Sequence, residues 1–190
     1  MQCTYITQYN RCDTDPHCQK FLRANDGGMG FTDAADPLFL ENAPSVDILT
    51  SGFPCQPFSL AGKGGGTSDP RGLVVFHVLQ YVQKNLPRIV ILENVKGLLS
   101  TKHAELMILI LKMRGINDSP GKRVYQVSWR LLDSQTHGAV PQSNDRVYII
   151  AMRLDGRGKV GVSWPEAVPC EVGICLGAQK GRARLRKIVQ

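Results

Sequence analysis

Three side chains in this sequence carry groups that could do chemistry: a thiol, a carboxyl and a guanidinium. Cys55 stands between Pro54 and Gln56-Pro57, where two prolines restrict the backbone and fix the direction of the thiol. A free thiol has a pKa of about 8.5, so only a small fraction is thiolate near neutrality. Taken alone, a single cysteine is more often a buried structural residue than a nucleophile. No histidine adjoins it, and a protease-like pair would need the distant His77, His103 or His137. Glu93 closes an apolar run and reads in isolation as a strand-end carboxylate that meets a surface lysine or caps the next helix. Arg146 follows the Pro141-Gln142 turn and reads in isolation as an edge charge.

Whether these groups meet depends on the elements that carry them. Pro16–Asn25 has the signature of a short helix, with Asp15 as N-cap and proline in the first turn. Residues 24–35 are loop-rich. Val46–Thr50 reads as a buried strand, and residues 52–70, with Gly62, Gly64, Gly65 and Gly66, as a long flexible loop. Within residues 71–84, Val74, Val75, Val78, Leu79 and Val82 fall on one helical face. Ile89–Leu92 is a continuous apolar run of the parallel-strand kind. A second helix spans residues 102–114 with Leu106, Leu109, Ile110 and Met113 inward, and residues 124–132 and 146–152 read as strands. This alternation predicts an α/β fold, a mixed, mostly parallel sheet with helices on both faces. Ligands then bind beyond the carboxyl ends of the strands. The strand at 46–50 ends just before Gly52-Phe53-Pro54-Cys55-Gln56, and that at 89–92 ends at Glu93-Asn94-Val95. A thiol and a carboxyl are thereby predicted at one rim, as a reactive pair.

Composition bounds the rest. The chain has 190 residues, 43% hydrophobic and 21% charged, which excludes a disordered or low-complexity polymer. No run of 18 or more apolar residues occurs, so no membrane helix is expected, and Met1–Asn10 lacks the pattern of a secretory signal. Lys180, Arg182, Arg184, Arg186 and Lys187 account for five of the net +7, leaving +2 elsewhere. Such a tail binds nucleic acid, serves as a nuclear import signal or is simply solvated, and basicity alone does not choose. The six cysteines are scattered without a CxxC pair, which favours a reducing compartment and disfavours zinc. Cys12, His17 and Cys18 are close in sequence but lack paired metal-ligand spacing. No metal is expected.

In combination the motifs are more specific. Phe53-Pro54-Cys55-Gln56-Pro57-Phe58-Ser59, then Glu93-Asn94-Val95-Lys96-Gly97, then Gly138-Ala139-Val140-Pro141-Gln142 with Arg146, closely resemble the C5 cytosine DNA methyltransferase family. The separation of Cys55 from Glu93 fits that family, and Gly62-Lys63-Gly64 and Asp69-Pro70-Arg71-Gly72 resemble its catalytic loop and following helix. The resemblance runs from about Asp13 to Met152. It implies a Rossmann-like, S-adenosylmethionine-dependent methyltransferase fold and duplex DNA as partner. Cys55 would add to C6 of cytosine and make C5 nucleophilic. A protonated Glu93 would pair with N3 and the exocyclic amine, a donor–acceptor pattern that thymine mismatches. Arg146 would donate to O2. The Phe53 carbonyl and Asn94 would complete a pocket that also takes in Pro54, Gln56 and Val95. The base must leave the duplex to be reached. Residues 59–69 would close on DNA, with Ser59, Lys63 and Arg71 on the strand and Lys63 at a phosphate. Asp13 matches the position that binds the donor's ribose, Asp33 the one at its adenine amine, and Val74 packs near the adenine. Read without the family, both aspartates are turn or cap residues.

The sequence also departs from the family pattern. No Phe-x-Gly-x-Gly loop precedes Asp13, and Asn144 stands at the first arginine of the Gln-x-Arg-x-Arg pattern. Residues 1–153 are read as a partial catalytic domain and 154–190 as the start of a connection, where Trp164-Pro165-Glu166 resembles the family, plus the basic tail. The expected fold is therefore incomplete at both ends, and such a chain is not expected to turn over by itself. Three competing readings remain: a tRNA-acting relative of the same fold, whose signature is Pro-Pro-Cys-Gln-Pro-Phe-Thr; an inactive or regulatory module that keeps the pocket; and a thiol redox enzyme or protease, for which a resolving cysteine or placed histidine is missing. The compartment would be the nucleus in a eukaryote and the cytoplasm otherwise.

Overall fold

The apolar run at residues 89–92 extends into β4 (Ile89–Val95), whose side chains alternate between a buried and a half-buried face. The computed structural model describes residues 11–25, 30–54, 73–99, 105–117, 121–138, 142–155 and 161–168. β4 lies inside a four-stranded sheet with β3 (Ile48–Gly52), β5 (Tyr125–Asp133) and β6 (Asp145–Arg153), in the order β3-β4-β6-β5. β3 pairs with β4 in parallel, while β6 is antiparallel to both of its neighbours. Three strands therefore run one way and β6 runs back between two of them. A parallel return from β5 would need a crossover of about a dozen or more residues. Eleven residues separate Asp133 from Asp145, five of them in the short α5 (Ser134–Gly138), too few to run back along a nine-residue strand of about 30 Å. The sheet is thus mixed, with three of its four strands running one way, as the sequence predicts.

Two of the helices supply the helical side of the core. α3 (Val74–Asn85) joins β3 to β4, and α4 (Glu105–Arg114) joins β4 to β5. One buried cluster holds Val75, Val78 and Val82 of α3, Leu109, Ile110 and Met113 of α4, and Val90, Leu92, Val147, Ile149 and Ala151 of the sheet. Both helices therefore cover the same face. Right-handed crossovers that advance in one direction across a sheet must fall on one side of it. The opposite face carries Ile91, Glu93, Tyr148 and Arg146. Trp164 donates from Nε1 to the Ser128 hydroxyl at 3.0 Å on that face, and the Val168 amide donates to the Thr136 carbonyl at 2.7 Å, tying residues 161–168 back to β5 and α5.

A second, two-stranded parallel sheet pairs β1 (Arg11–Cys12) with β2 (Gly30–Phe31). Between them runs α1 (Pro16–Asn25), with the bounds its sequence predicts. Asp15 Oδ1 accepts the amides of His17 at 2.7 Å and Cys18 at 3.1 Å, satisfying two of the donors a helix start leaves open. α2 (Pro37–Asn42) repeats the device with Asp36, which accepts the Leu38 amide at 2.9 Å. α3 stops at Leu86, in the left-handed region at φ 47°, where a non-glycine residue costs about 1–2 kcal/mol. The fold holds it there: the Leu86 side chain packs on the core, Arg153 donates to its carbonyl, and the Tyr125 hydroxyl donates to the Pro87 carbonyl at 2.7 Å.

Candidate active site

Parallel pairing of β3 with β4 sets Gly52 opposite Glu93, so the two carboxyl ends open on one rim, as the sequence predicts. The chain leaves β3 as Gly52-Phe53-Pro54. Phe53 is 4% exposed and belongs to the core cluster. Cys55, Gln56, Ser59, Lys63 and Arg71 lie outside the described residues. The described chain therefore reaches the residue bonded to Cys55, and that residue follows directly on the Phe53 anchor.

Asn94 fixes this corner. It is 1% exposed, the one buried polar side chain among the described residues. Its Nδ2 donates to the Phe53 carbonyl at 3.0 Å and its Oδ1 accepts the Val95 amide at 2.9 Å. Neighbours in a strand point to opposite faces, so Asn94 turns toward the core while Glu93 turns away from it. Asn94 thus engages the Phe53 carbonyl itself and holds the exit of β3. Val95 is half-buried and packs against the core.

Glu93 faces Tyr148 across the β4–β6 ladder, and Arg146 lies one diagonal step along β6, opposite Val95. Diagonal neighbours on one face are within reach of long side chains. Arg146 Nε donates to Glu93 Oε1 at 2.8 Å, with side chains 33% and 34% exposed, so the pair is accessible to a ligand. The other oxygen lies over Gly52, where an added Cβ would approach it to 3.3 Å. Arg146 also donates to the Asp145 carbonyl at 3.0 Å, and the Asp145 carboxylate pairs with Lys96 at 2.9 Å. That contact, with the Asp145 charge, raises the Lys96 ammonium above its ordinary range. The sequence brought Glu93 and Arg146 together only through the family resemblance, and the ladder register supplies the physical cause.

Asp133 was not singled out from the sequence. At the end of β5 it accepts the amides of Asn144 at 2.7 Å and Gln135 at 3.1 Å and the Ser143 hydroxyl at 3.0 Å. These donors, the Asn144 amide foremost, hold its carboxyl below the usual carboxylate range. The available signal was an Asp-Ser step ahead of a short helix, the type of residue that caps helices and turns.

On the small sheet, Asp13 and Asp33 lie just beyond the carboxyl ends of β1 and β2. Asp13 Oδ1 accepts the Asp15 amide at 2.8 Å, and Asp33 Oδ1 accepts the Ala35 amide at 2.8 Å. Each aspartate therefore forms the turn that its type alone suggests. Both charges also act at one place, since desolvation, then Asp33, then Asp13, push the Cys12 thiol up to about 11. Asp13 raises the Cys18 thiol as well. Both thiols are thus held protonated near neutrality. Among the described residues no group of three His, Cys, Asp or Glu could hold a metal, and no helix is long and apolar enough to cross a membrane. Val74 opens α3 and is half-buried.

Comparison with known proteins bears on this arrangement. A family model described as C-5 cytosine-specific DNA methylase matches residues 2–168. Type II methyltransferase M.DsaV of Dactylococcopsis salina is 34% identical over 157 residues, 82% of this chain and 42% of that protein. Type II methyltransferase M.HaeII of Haemophilus aegyptius is 35% identical over 136 residues, 72% of this chain and 40% of that protein. This chain spans about two fifths of the length of these relatives. Among solved structures, a mutant of Spodoptera frugiperda DNMT2 superposes with a TM-score of 0.58 at 20% identity, covering 84% of this chain and 47% of that one, a likeness of fold.

Proposed function

The chain belongs to the C-5 cytosine-specific DNA methylase family, and on that premise we propose that it carries the nucleophile and base-recognition centre of a DNA (cytosine-5-)-methyltransferase. The observation that carries the reading is the Glu93–Arg146 pair, 2.8 Å apart on the rim to which β3 delivers Phe53-Pro54, the two residues that precede Cys55 in sequence. A carboxyl beside a guanidinium matches one edge of cytosine: Arg146 donates to O2, and a protonated Glu93 donates to N3 and accepts from the exocyclic amine.

The Cys55 thiolate forms a bond from sulfur to C6, and the C5=C6 electron pair shifts onto C5 and into the ring. Glu93 supplies the proton that N3 takes up, so the charge that develops on addition is held by a group already in place. S-adenosylmethionine, when bound, would supply the electrophilic methyl that C5 captures, its sulfur–methyl bond breaking to leave S-adenosylhomocysteine. The C5 proton then leaves to a base, the sulfur–C6 bond breaks with its electron pair on sulfur, N3 returns its proton to Glu93, and the aromatic ring and the thiolate are restored. Asp13 and Asp33, at adjacent carboxyl ends with one oxygen each committed to a turn, fit hydroxyl and amine donors of such a nucleoside, and Val74 would pack near its adenine. The substrate is duplex DNA with the cytosine flipped out, since these atoms are unreachable in the stack. Ser59, Lys63 and Arg71 would meet the DNA strand. Residues 1–153 would form the catalytic unit and 154–190 the start of a connection. A tRNA substrate is less favoured, because the matching family model is described as a DNA methylase and the corner reads Phe53-Pro54-Cys55.

Capture on duplex DNA bearing 5-fluorocytosine, with S-adenosylmethionine present, tests this reading. Fluorine at C5 cannot leave as a proton does, so one event leaves a covalent adduct. Mass spectrometry is expected to place it on Cys55. Cys55→Ala abolishes it, and Glu93→Gln slows it by about 10²–10³-fold, the usual worth of a group aimed at developing charge. An adduct on tRNA instead of DNA, or one that survives Cys55→Ala, overturns the proposal.

A further inference from the structure

We propose that Asp133 is a positioning residue for Arg146, acting through a clasp that it and Ser134 make on the chain entering β6. The inference rests on the reading of Arg146 given above. Asp133 accepts the Asn144 and Gln135 amides and the Ser143 hydroxyl at 2.7, 3.1 and 3.0 Å. Ser134 donates its hydroxyl to the Gln142 carbonyl at 2.6 Å and its amide to the Asn144 carbonyl at 3.4 Å. Residues 142–144 are thus tied at several points to the end of β5, immediately before Asp145 opens β6 and Arg146 reaches Glu93.

A carboxylate is a costly choice at position 133. The ladder sets it directly opposite Asp145, and like charges facing each other across a pair of strands repel. Lys96 takes up the Asp145 charge at 2.9 Å. What the carboxylate offers in return is two acceptor oxygens and no donor, which suits three converging donors. The consequence is register. Side chains alternate with period two, so a slip of one residue at the start of β6 would turn Arg146 onto the face opposite Glu93. Because Asp133 grips the backbone amide of residue 144, the clasp is indifferent to the Asn144 side chain, which stands where the family pattern has arginine.

The test compares Asp133→Ala, Asp133→Asn and Ser134→Ala in the 190-residue chain. The readout is hydrogen exchange at the Arg146 Nε–H, followed by nitrogen-15 NMR, with Arg153 Nε–H, which pairs with Asp155, as internal reference. Loss of a charged hydrogen-bonding group is worth about 1.5–3 kcal/mol, so Asp133→Ala is expected to speed Arg146 exchange by about tenfold or more while Arg153 is unchanged. Asp133→Asn keeps one acceptor oxygen and is expected to fall between. An unchanged Arg146 signal, or equal acceleration at Arg146 and Arg153, overturns the proposal. If Asp133→Ala does not fold, Asp133→Asn and Ser134→Ala carry the same comparison. In parallel, Asp133→Ala is expected to slow capture of 5-fluorocytosine DNA by about tenfold or more. Absence of capture in the unsubstituted chain would count against the function, and the exchange comparison would still decide the clasp.

Discussion

Adjacent residues at the end of β4 divide two jobs. Glu93 and Arg146 are each about one-third exposed, and an accessible ion pair contributes about 0–1 kcal/mol to stability. Glu93→Gln is therefore expected to move the denaturation midpoint little while it suppresses capture of cytosine. Asn94 is the reverse case. It is enclosed, and its amide supplies one donor to Phe53 and one acceptor to Val95. Alanine at 94 would remove the side-chain partner of both backbone groups, at about 1–3 kcal/mol for each that is then buried and unpaired. Aspartate would keep the acceptor but set an anion against the Phe53 carbonyl. Asn94→Ala is thus expected to lower unfolding free energy by about 2 kcal/mol or more in urea titrations, and Asp to rescue little. Equal midpoints for the Glu93 and Asn94 variants would contradict this division.

At the scale of elements, the apolar periodicity of α4 carries real information. Leu109, Ile110 and Met113 are buried as their spacing predicts, whereas Leu111 is 58% exposed on the same helix. Leu106 lies outside the described side chains. Met113→Ala is expected to cost about 2–5 kcal/mol and Leu111→Ala to stay within about 0.5 kcal/mol, by thermal or chemical denaturation. Comparable losses at both positions would mean that α4 packs on two sides. Strand ends were less legible, for a physical reason. β3 runs two residues beyond the apolar stretch because Ser51 and Gly52 are held by pairing with Leu92 and Glu93, and hydropathy does not report pairing. β4 continues through Glu93-Asn94-Val95 because Asn94 finds partners inside. The reversal of β6 follows from the short connection after Asp133, a length that alternation of element types does not weigh. Asp133 was missed for a related reason. Its donors come from residues 135, 143 and 144, and no local spacing announces that they converge. Glu93 and Arg146, by contrast, were recognisable because a family motif carries each of them.

For the whole molecule, the proposed chemistry needs two sheets held at a fixed separation. The candidate donor residues Asp13 and Asp33 are on the two-stranded sheet, and the Glu93 rim is on the four-stranded one. The described link between them runs through α2 and α3. Phe31 of β2 meets Phe39 of α2 edge to face at 5.2 Å, and Phe39 meets Tyr81 of α3 at 5.6 Å. The Tyr81 hydroxyl donates to the Pro44 carbonyl at 2.5 Å, and Lys84 donates to the Leu40 carbonyl at 2.6 Å. Phe39 is the shared ring in this chain of contacts, and it is half-buried. Removing it forfeits two aromatic contacts and part of a ring's burial, about 2 kcal/mol in all. Because stability is not uniform across a fold, that loss is expected to be local. In Phe39→Ala, amides of β1 and β2 should exchange about tenfold or more faster while those of β4 and β6 keep their protection. Affinity for S-adenosylmethionine should fall while Arg146 stays paired with Glu93. Loss of protection in both sheets together would show that they unfold as one unit, and the aromatic contacts would then be a share of a common core.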